Sequence, residues 1–452
     1  MYTWVCEHLY LPALDATKGS PFGRVIAEAQ RNATLNPTEL DALQAKKLQE
    51  ISRHAILHSA HYGKLAEGLG ISAIESVEQL REFPCLTKME LVEGVDAVCT
   101  NQPKGKIFPA TTSGSTGIAL RFFFDSHQWA WGEACQWRGR GWWGLERGAK
   151  MVVLWSRPVD RSGMSSLRAA AKYRLRNSLQ FDTFTEFNAD RMDEVVSAIQ
   201  TFKPEIIYGY GSSIGAVATH MLATSRRLTP SESPRIVEFT ADTMYEQEVR
   251  ASSQAFGAPV LSAYGASEVP GVSQQCWAGN MHISVDNAVV EFLGEDGEPV
   301  APGEVGELVL TTLNNFAMPL LRYRVGDMGS LKEGSCRCGS HLPMMNLTIG
   351  KAVDLITTSA KSNVSAHVFD YINIFLMNND ARGIRQFAVE QTAPDRFILK
   401  TVHEEGDPQR ACELFIEKMQ EKLGPGLTVS TEVVDDIPLS PSGKRRYFKK
   451  TF

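Results

Sequence analysis

The chain has 452 residues, 43% hydrophobic and 22% charged, with a formal net charge of −6. That length holds two or three domains and a large core, and the balance is that of a globular protein. It excludes the general electrostatics of a nucleic-acid binder, and no apolar run reaches membrane-spanning length. The start of the chain lacks a basic segment followed by an apolar one, so no signal peptide is expected, and eight scattered cysteines point to a reducing compartment, hence the cytoplasm.

The first periodic segment, 38–62, carries Leu40, Leu43, Leu48, Ile51 and Ala55 at helical spacing after a Pro37-Thr38 start signal. A shorter helical stretch over 75–82 ends before Pro84. Next comes Thr111-Thr112-Ser113-Gly114-Ser115-Thr116-Gly117, and then an apolar strand from Ile118 to Phe124. A run of hydroxyls and glycines can turn sharply and aim backbone N–H and O–H donors into one concavity, as a polyphosphate requires. It is not a Walker A loop, because no Gly-Lys-Ser/Thr follows. Alone, it reads equally as a flexible surface loop.

From 151 to 262 short apolar strands (151–155, 206–208, 236–239, 260–262) alternate with helical patterns (190–202, 214–224, 246–256). That rhythm specifies a parallel sheet covered by helices. Near 285 it gives way to antiparallel strands around the Gly294–Glu298 turn, expected to form a small barrel or meander. Beyond Gly350 a helix over 365–377, strands over 384–390 and 396–402, a helix over 409–422 and a strand over 428–434 make a compact α+β unit. The fold class is therefore α/β, with a large domain over 1–349 and a smaller one over 350–452.

Four motifs carry chemistry. The hydroxyl-rich loop is the first. In Tyr264-Gly265-Ala266-Ser267-Glu268 a carboxylate follows a strand, either as a Mg²⁺ ligand beside a triphosphate or as part of a helix cap, and Tyr264 can lie against a purine. Arg322-Tyr323-Arg324-Val325-Gly326-Asp327 places one carboxylate where it can accept both hydroxyls of a ribose, its arginines pairing with phosphate or with structural carboxylates. Pro441-Ser442-Gly443-Lys444 sets a lysine on a turn, either reaching into a site or belonging to a solvated basic tail.

In this order, together with Phe239-Thr240-Ala241-Asp242 and the run from Ala255 to Glu268, these motifs resemble the adenylate-forming superfamily of acyl-CoA synthetases, adenylation domains and luciferases. The likeness spans essentially the whole chain and is nearest to the phenylacetate–CoA ligase branch, with its relatives linked to capsular polysaccharide biosynthesis. The resemblance implies ATP- and Mg²⁺-dependent activation of a carboxylic acid, aromatic in this branch, to an acyl adenylate, then transfer to coenzyme A. An amine, hydroxyl or carrier-protein thiol is the alternative acceptor, and a non-catalytic nucleotide-binding protein the alternative of another class.

The same resemblance assigns roles. Ser113, Gly114, Ser115, Thr116 and Gly117 hold the β- and γ-phosphates. Ala241 and Asp242 line the adenine, with Tyr264, Gly265 and Ser267 on its other side. Glu268 holds Mg²⁺ and Asp327 the ribose, with Arg324 and Lys351 near the phosphates. Asp354 marks the hinge of a mobile C-terminal domain, and Lys444, with Thr116 and Glu268, serves catalysis. The chain departs from the family where Ile118-Ala119 replaces Lys-Pro, where Lys351 replaces an arginine fork, and over 358–363, which puts the acceptor in doubt. The partners are small molecules, and a homodimer is compatible with the sequence.

Two further groups stand apart. Cys276-x5-His282 followed by Cys336-x-Cys338 has the donor set of a structural zinc site, or else these are unligated cysteines, with His341 a substitute ligand. The tryptophans from Trp129 to Trp143 either line an acid pocket, Trp137 among them, or fill the core. Tyr208-Gly209-Tyr210-Gly211 ends a strand at the acyl-binding edge, its glycines leaving room for substrate.

Overall fold

The computed structural model describes residues 2–111, 120–155, 173–183, 189–241, 244, 246–294, 296–347, 355–361, 364–366, 368–369, 372, 375–376, 381, 383–403, 405–437 and 447–452. Ser113, Gly114, Ser115, Thr116, Gly117, Asp242, Lys351, Asp354 and Lys444 lie outside them, as does much of the helix expected over 365–377. Among the described residues no helix is long and apolar enough to cross a membrane.

The lead-in is helical. Asn36 and Glu39 form a reciprocal capping box, Glu39 N donating to Asn36 Oδ1 at 3.0 Å and Asn36 N to Glu39 Oε2 at 2.9 Å, and Pro37 opens the helix Pro37–His58. The continuous helix expected over 38–62 breaks at Ser59, which is extended (φ −113°, ψ 129°) and starts a second helix, Ala60–Leu69. Ser59 Oγ donates to Ala97 O at 2.8 Å, and its backbone bridges Thr100, so tertiary contacts override a periodicity that runs on unbroken.

Strands β1 (Ile107–Thr111) and β2 (Arg121–Asp125) pair antiparallel, with Thr111 opposite Arg121. The hydroxyl-rich loop therefore joins two paired strands, as expected. Parallel strands β3 (Met151–Leu154), β4 (Ser178–Phe181), β5 (Ile206–Tyr210), β6 (Ile236–Thr240) and β7 (Val260–Tyr264) follow. Antiparallel strands β8 (Ser273–Gln275), β9 (Met281–Ile283), β10 (Ala288–Leu293), β11 (Gly306–Thr312), β12 (Tyr323–Lys332) and β13 (Met344–Leu347) continue the same 11-stranded sheet in the order β10-β11-β12-β13-β9-β8-β7-β6-β5-β3-β4. The β10–β11 hairpin forms as read. Among the described pairings the antiparallel strands continue the parallel half as one sheet.

Side chains alternate across the parallel half. Val152, Leu154, Ile207 and Val237 face the helices Ala189–Phe202, Gly211–Ala223 and Glu246–Phe256, which bury Val195, Ile199, Ile214, Val217 and Phe256 against them. Met151, Ile206, Tyr208, Ile236 and Leu261 face the other way, toward Trp137 on the helix Ser126–Gly141. Both faces are covered, which explains the continuous apolar runs.

In the last hundred residues β14 (Leu355–Ile356) pairs with β15 (Val364–Ser365). Strands β16 (Ile384–Ala393), β17 (Arg396–His403), β18 (Thr428–Val433) and β19 (Phe448–Lys450) form a separate sheet in the order β18-β17-β16-β19. The helix Pro408–Leu423 buries Ala411, Phe415, Met419 and Leu423, each four residues on from the last, into a core with Phe369, Phe387 and Phe397.

Candidate active site

The carboxyl end of β7 and the start of β12 bring two sequence motifs together. Tyr264 Oη donates to Asp327 Oδ2 at 2.9 Å, and Tyr323 Oη donates to Glu268 Oε1 at 3.1 Å. Burial, reinforced by these carboxylates, pushes both phenols well above their ordinary range. They therefore stay protonated and act as fixed donors that orient two carboxylates. Glu268 is buried while neighbouring Ser267 is exposed. Between them and β7, Gly265 makes a turn so tight that a Cβ there would lie 2.9 Å from the Gly271 nitrogen.

Ala241, just past β6, has φ +71° and is exposed. A left-handed alanine stores strain, and such strain gathers where backbone is presented to a ligand.

The arginines of the β12 motif face carboxylates. Arg324 Nη1 donates to Glu307 Oε2 at 3.0 Å. Arg322 grips Glu291 with Nε and Nη2, both at 3.1 Å, and reaches the carbonyls of Arg81 and Phe83. Both arginines thus pair with carboxylates of neighbouring strands.

Glu268 and Ser267 open on a cavity of about 410 Å³ between the β3–β5 face, the helix Ser126–Gly141 and the helix Leu11–Lys18. Trp129, Trp137 and Tyr208 line it. Trp131, by contrast, is core at 1% exposure, so some of these tryptophans line a cavity and others fill the core. Two of the wall's arginines are paired with carboxylates. Arg140 donates from Nε to Glu238 Oε2 at 2.7 Å and from Nη2 to Oε1 at 3.2 Å, its guanidinium 4.8 Å from the Trp137 ring. Arg147 Nη2 bonds Asp15 at 3.0 Å and Glu133 at 2.8 Å.

The rest of the 208–211 motif works differently from the reading of its glycines as room for substrate. A Cβ on Gly209 would meet Leu154 O at 2.4 Å, so this glycine permits close strand approach to β3. Tyr210 stacks on Trp155 at 3.9 Å, and Gly211 is buried as the first residue of its helix. Sequence reasoning missed Tyr323, Trp155 and the Arg140–Glu238 pair. Only Tyr323 lay inside a recognised motif.

Cys276, His282, Cys336 and Cys338 converge, their ligand atoms all within 4.8 Å of one another. Cys276 Sγ lies 3.6 Å from Cys336 Sγ, and Cys338 Sγ lies 3.2 Å from His282 Nε2. His282 Nδ1 is oriented by Leu342 O at 2.8 Å, leaving Nε2 toward the thiols. Asn280 Nδ2 donates to Cys336 Sγ at 3.1 Å. His341, the substitute considered, is not among the four.

Residues 356–451 match the family model of the CapK C-terminal domain. Protein CapK of Staphylococcus aureus is 22% identical over 420 residues, covering 90% of this chain and 89% of that protein. The phenylacetate–coenzyme A ligase of Aromatoleum evansii is 28% identical over 66% of this chain and 68% of its own length. That of Thermus thermophilus is 34% identical over a shorter 167 residues, 36% of this chain and 37% of its own. Among solved structures, a 2-hydroxyisobutyryl-CoA ligase in the postadenylation state superposes with a TM-score of 0.60 at 20% identity, covering 93% of this chain and 91% of that one. The fold is thus that of an acyl-CoA ligase structure, and Tyr264 and Glu268 sit at the carboxyl end of β7, where ligands enter such sheets. By sequence the chain is similar to the phenylacetate–CoA ligases and to CapK.

Proposed function

We propose that the protein uses ATP to activate a carboxylic acid as its acyl adenylate and passes the acyl group to coenzyme A. One observation carries the reading: the Glu268–Tyr323 and Tyr264–Asp327 pairs stand beside a cavity walled by aromatic rings and neutralised ion pairs. In the first step a carboxylate oxygen bonds to the α-phosphorus while the bond to pyrophosphate breaks. In the second, a thiol attacks the acyl carbon and AMP leaves. Glu268, oriented by Tyr323, would hold Mg²⁺, which offsets the charge that collects on the phosphates. Asp327 would take the ribose, and the exposed Ala241 backbone, Asp242 and Tyr264 the adenine. Residues 113–117, with Lys351, would grip the leaving phosphates. The aromatic walls suit a flat acid, with Trp137 and Tyr208 packing on it. Residues 1–349 and 350–452 act as two domains, the second turning about Asp354 to bring Lys444 to the carboxylate and α-phosphate.

We also read the four-residue cluster as one structural zinc. A tetrahedral site with Zn–S bonds near 2.3 Å sets sulfurs about 3.8 Å apart, and the 3.6 Å Cys276–Cys336 separation fits.

The test is acid-dependent ATP–pyrophosphate exchange across aryl and aliphatic acids, followed by product mass with and without coenzyme A. Exchange with an aryl acid and an acyl-CoA product are expected. No exchange with any acid refutes the reading, and a product formed only on an amine would move the acceptor.

A further inference from the structure

The cavity beside Glu268 keeps one cation that no carboxylate holds. Lys18, Arg140, Arg147 and Arg176 line it. Arg140 is gripped by Glu238, and Arg147 by Asp15 and Glu133. Lys18 stands 4.9 Å from the centre of the Trp129 ring. Arg176 makes no ion pair and no side-chain hydrogen bond among the described residues. It is part-exposed, and of its nitrogens only Nε is buried, so both Nη groups stay open to a ligand. Glu268 apart, these four cations face the carboxylates of Asp15, Glu133 and Glu238, which leaves one positive charge in excess. Arg176 also sits at the far end from the chemistry. It precedes the amino end of β4, whose Ser178 pairs with Met151 at the amino end of β3, whereas Glu268 follows the carboxyl end of β7. Strands of four or five residues set those ends about 13–17 Å apart.

We infer that the acid activated here carries a second carboxylate, at the end away from the reacting carbon, and that Arg176 holds it. The inference rests on the adenylation reading of this site. A guanidinium offers a carboxylate two parallel N–H donors and a full charge, and the pair gains strength where walls exclude water. A carboxamide of the same shape brings no charge, and an unsubstituted ring brings neither charge nor acceptor. The wall between the two ends adds further donors. Gln136, Trp137 and Tyr208 line it, and their side chains make no hydrogen bond among the described residues. The indole N–H can only donate. Burial and the nearby Glu238 push the Tyr208 phenol up to about 12, so it keeps its proton. An acid with an oxyanion at each end of a ring and a short chain matches the length, the aromatic walls and the excess charge together.

The experiment is titration calorimetry of phenylacetate, phenylpropanoate and phenylbutanoate, each bearing a para carboxylate, against the same three bearing a para carboxamide, on the wild type, Arg176→Met and Arg176→Lys. At least one carboxylate should bind the wild type about tenfold or more tighter than its carboxamide, as a charge-assisted pair requires. In Arg176→Met that preference should shrink to about threefold or less, while the carboxamides bind as before, which also reports that the variant folds. Arg176→Lys keeps the charge but loses the fork, and should keep a larger preference than Arg176→Met. If no carboxylate outbinds its carboxamide on the wild type, or if the preference is unchanged in Arg176→Met, the inference is overturned, and pyrophosphate exchange with unsubstituted aryl acids would still uphold the adenylation reading. Binding needs no turnover, so a preference lost in Arg176→Met without exchange on any acid would overturn the adenylation reading and leave the Arg176 subsite standing.

Discussion

At the scale of single residues, buried charge sets the strongest expectations. Arg138 donates to both oxygens of Asp286, at 2.7 and 3.1 Å, and to Ala29 O, while Asn32 completes the carboxylate. Burial alone would raise the Asp286 carboxyl, but Arg138 outweighs it and holds it low. Arg138→Met leaves that carboxylate buried without its counter-ion, and should cost about 3–5 kcal/mol in urea denaturation. His127 is the pH-sensitive counterpart. Burial presses it down to about 4, against the Asn314 carbonyl at its Nδ1 and with the help of Lys47 and Lys104. Its unfolded value is about 6.5. As pH falls, the unfolded chain therefore takes the proton first. The stability is complete above about 6.5 and declines toward 4, by on the order of 3 kcal/mol. A His127→Gln variant should flatten that stretch of the stability–pH curve.

At the scale of elements, the Cys276–His282 and 336–338 segments meet beside the β9–β13 pairing, where Met344 lies opposite His282. Zinc there would tie together segments about sixty residues apart. One zinc per chain should appear by elemental analysis of protein purified without added metal. Chelation should lower the melting temperature by several degrees, and Cys338→Ser should reproduce both losses. This cluster was legible because donor type and spacing are chemistry written in sequence. The helix Glu246–Phe256 was legible for a related reason: its apolar face and flanking strands leave one periodicity to choose. What stayed illegible depended on neighbours distant in sequence. Nothing local announces the break at Ser59, whose partners are Ala97 and Thr100, or that Gly209 faces the backbone of Leu154. Tyr323 sits between two arginines and reads as part of a charged turn until β7 brings Glu268 to its hydroxyl.

At the scale of the whole molecule, the proposed chemistry requires residues from both ends of the chain. Tyr264 and Asp327 belong to the large sheet and Glu268 to the turn after β7, and Lys444 belongs to the segment matched by the CapK C-terminal domain. If the lysine acts only when the two are apposed, Lys444→Ala should lower acid-dependent exchange by about 10²-fold or more, and leave ATP affinity, measured by titration, within a few-fold. Proportionate loss of both would assign Lys444 to nucleotide binding instead. The order of motifs made the likeness to acid–CoA ligases readable from sequence. The dimensions of the cavity were not readable, because its walls come from the helix Leu11–Lys18, the helix Ser126–Gly141, strands β3 and β5 and the turn after β7.

The single sheet has one more consequence, for synthesis on the ribosome. Strand β7 pairs parallel with β6 on one side and antiparallel with β8 on the other. Only residues 265–272 separate β7 from β8. As the chain emerges, β6 is already available, and the second edge of β7 waits for that short turn alone. An open strand edge is a template for misassociation between nascent chains. The turn that sets Glu268 in place therefore also keeps the middle of the sheet from standing open during translation.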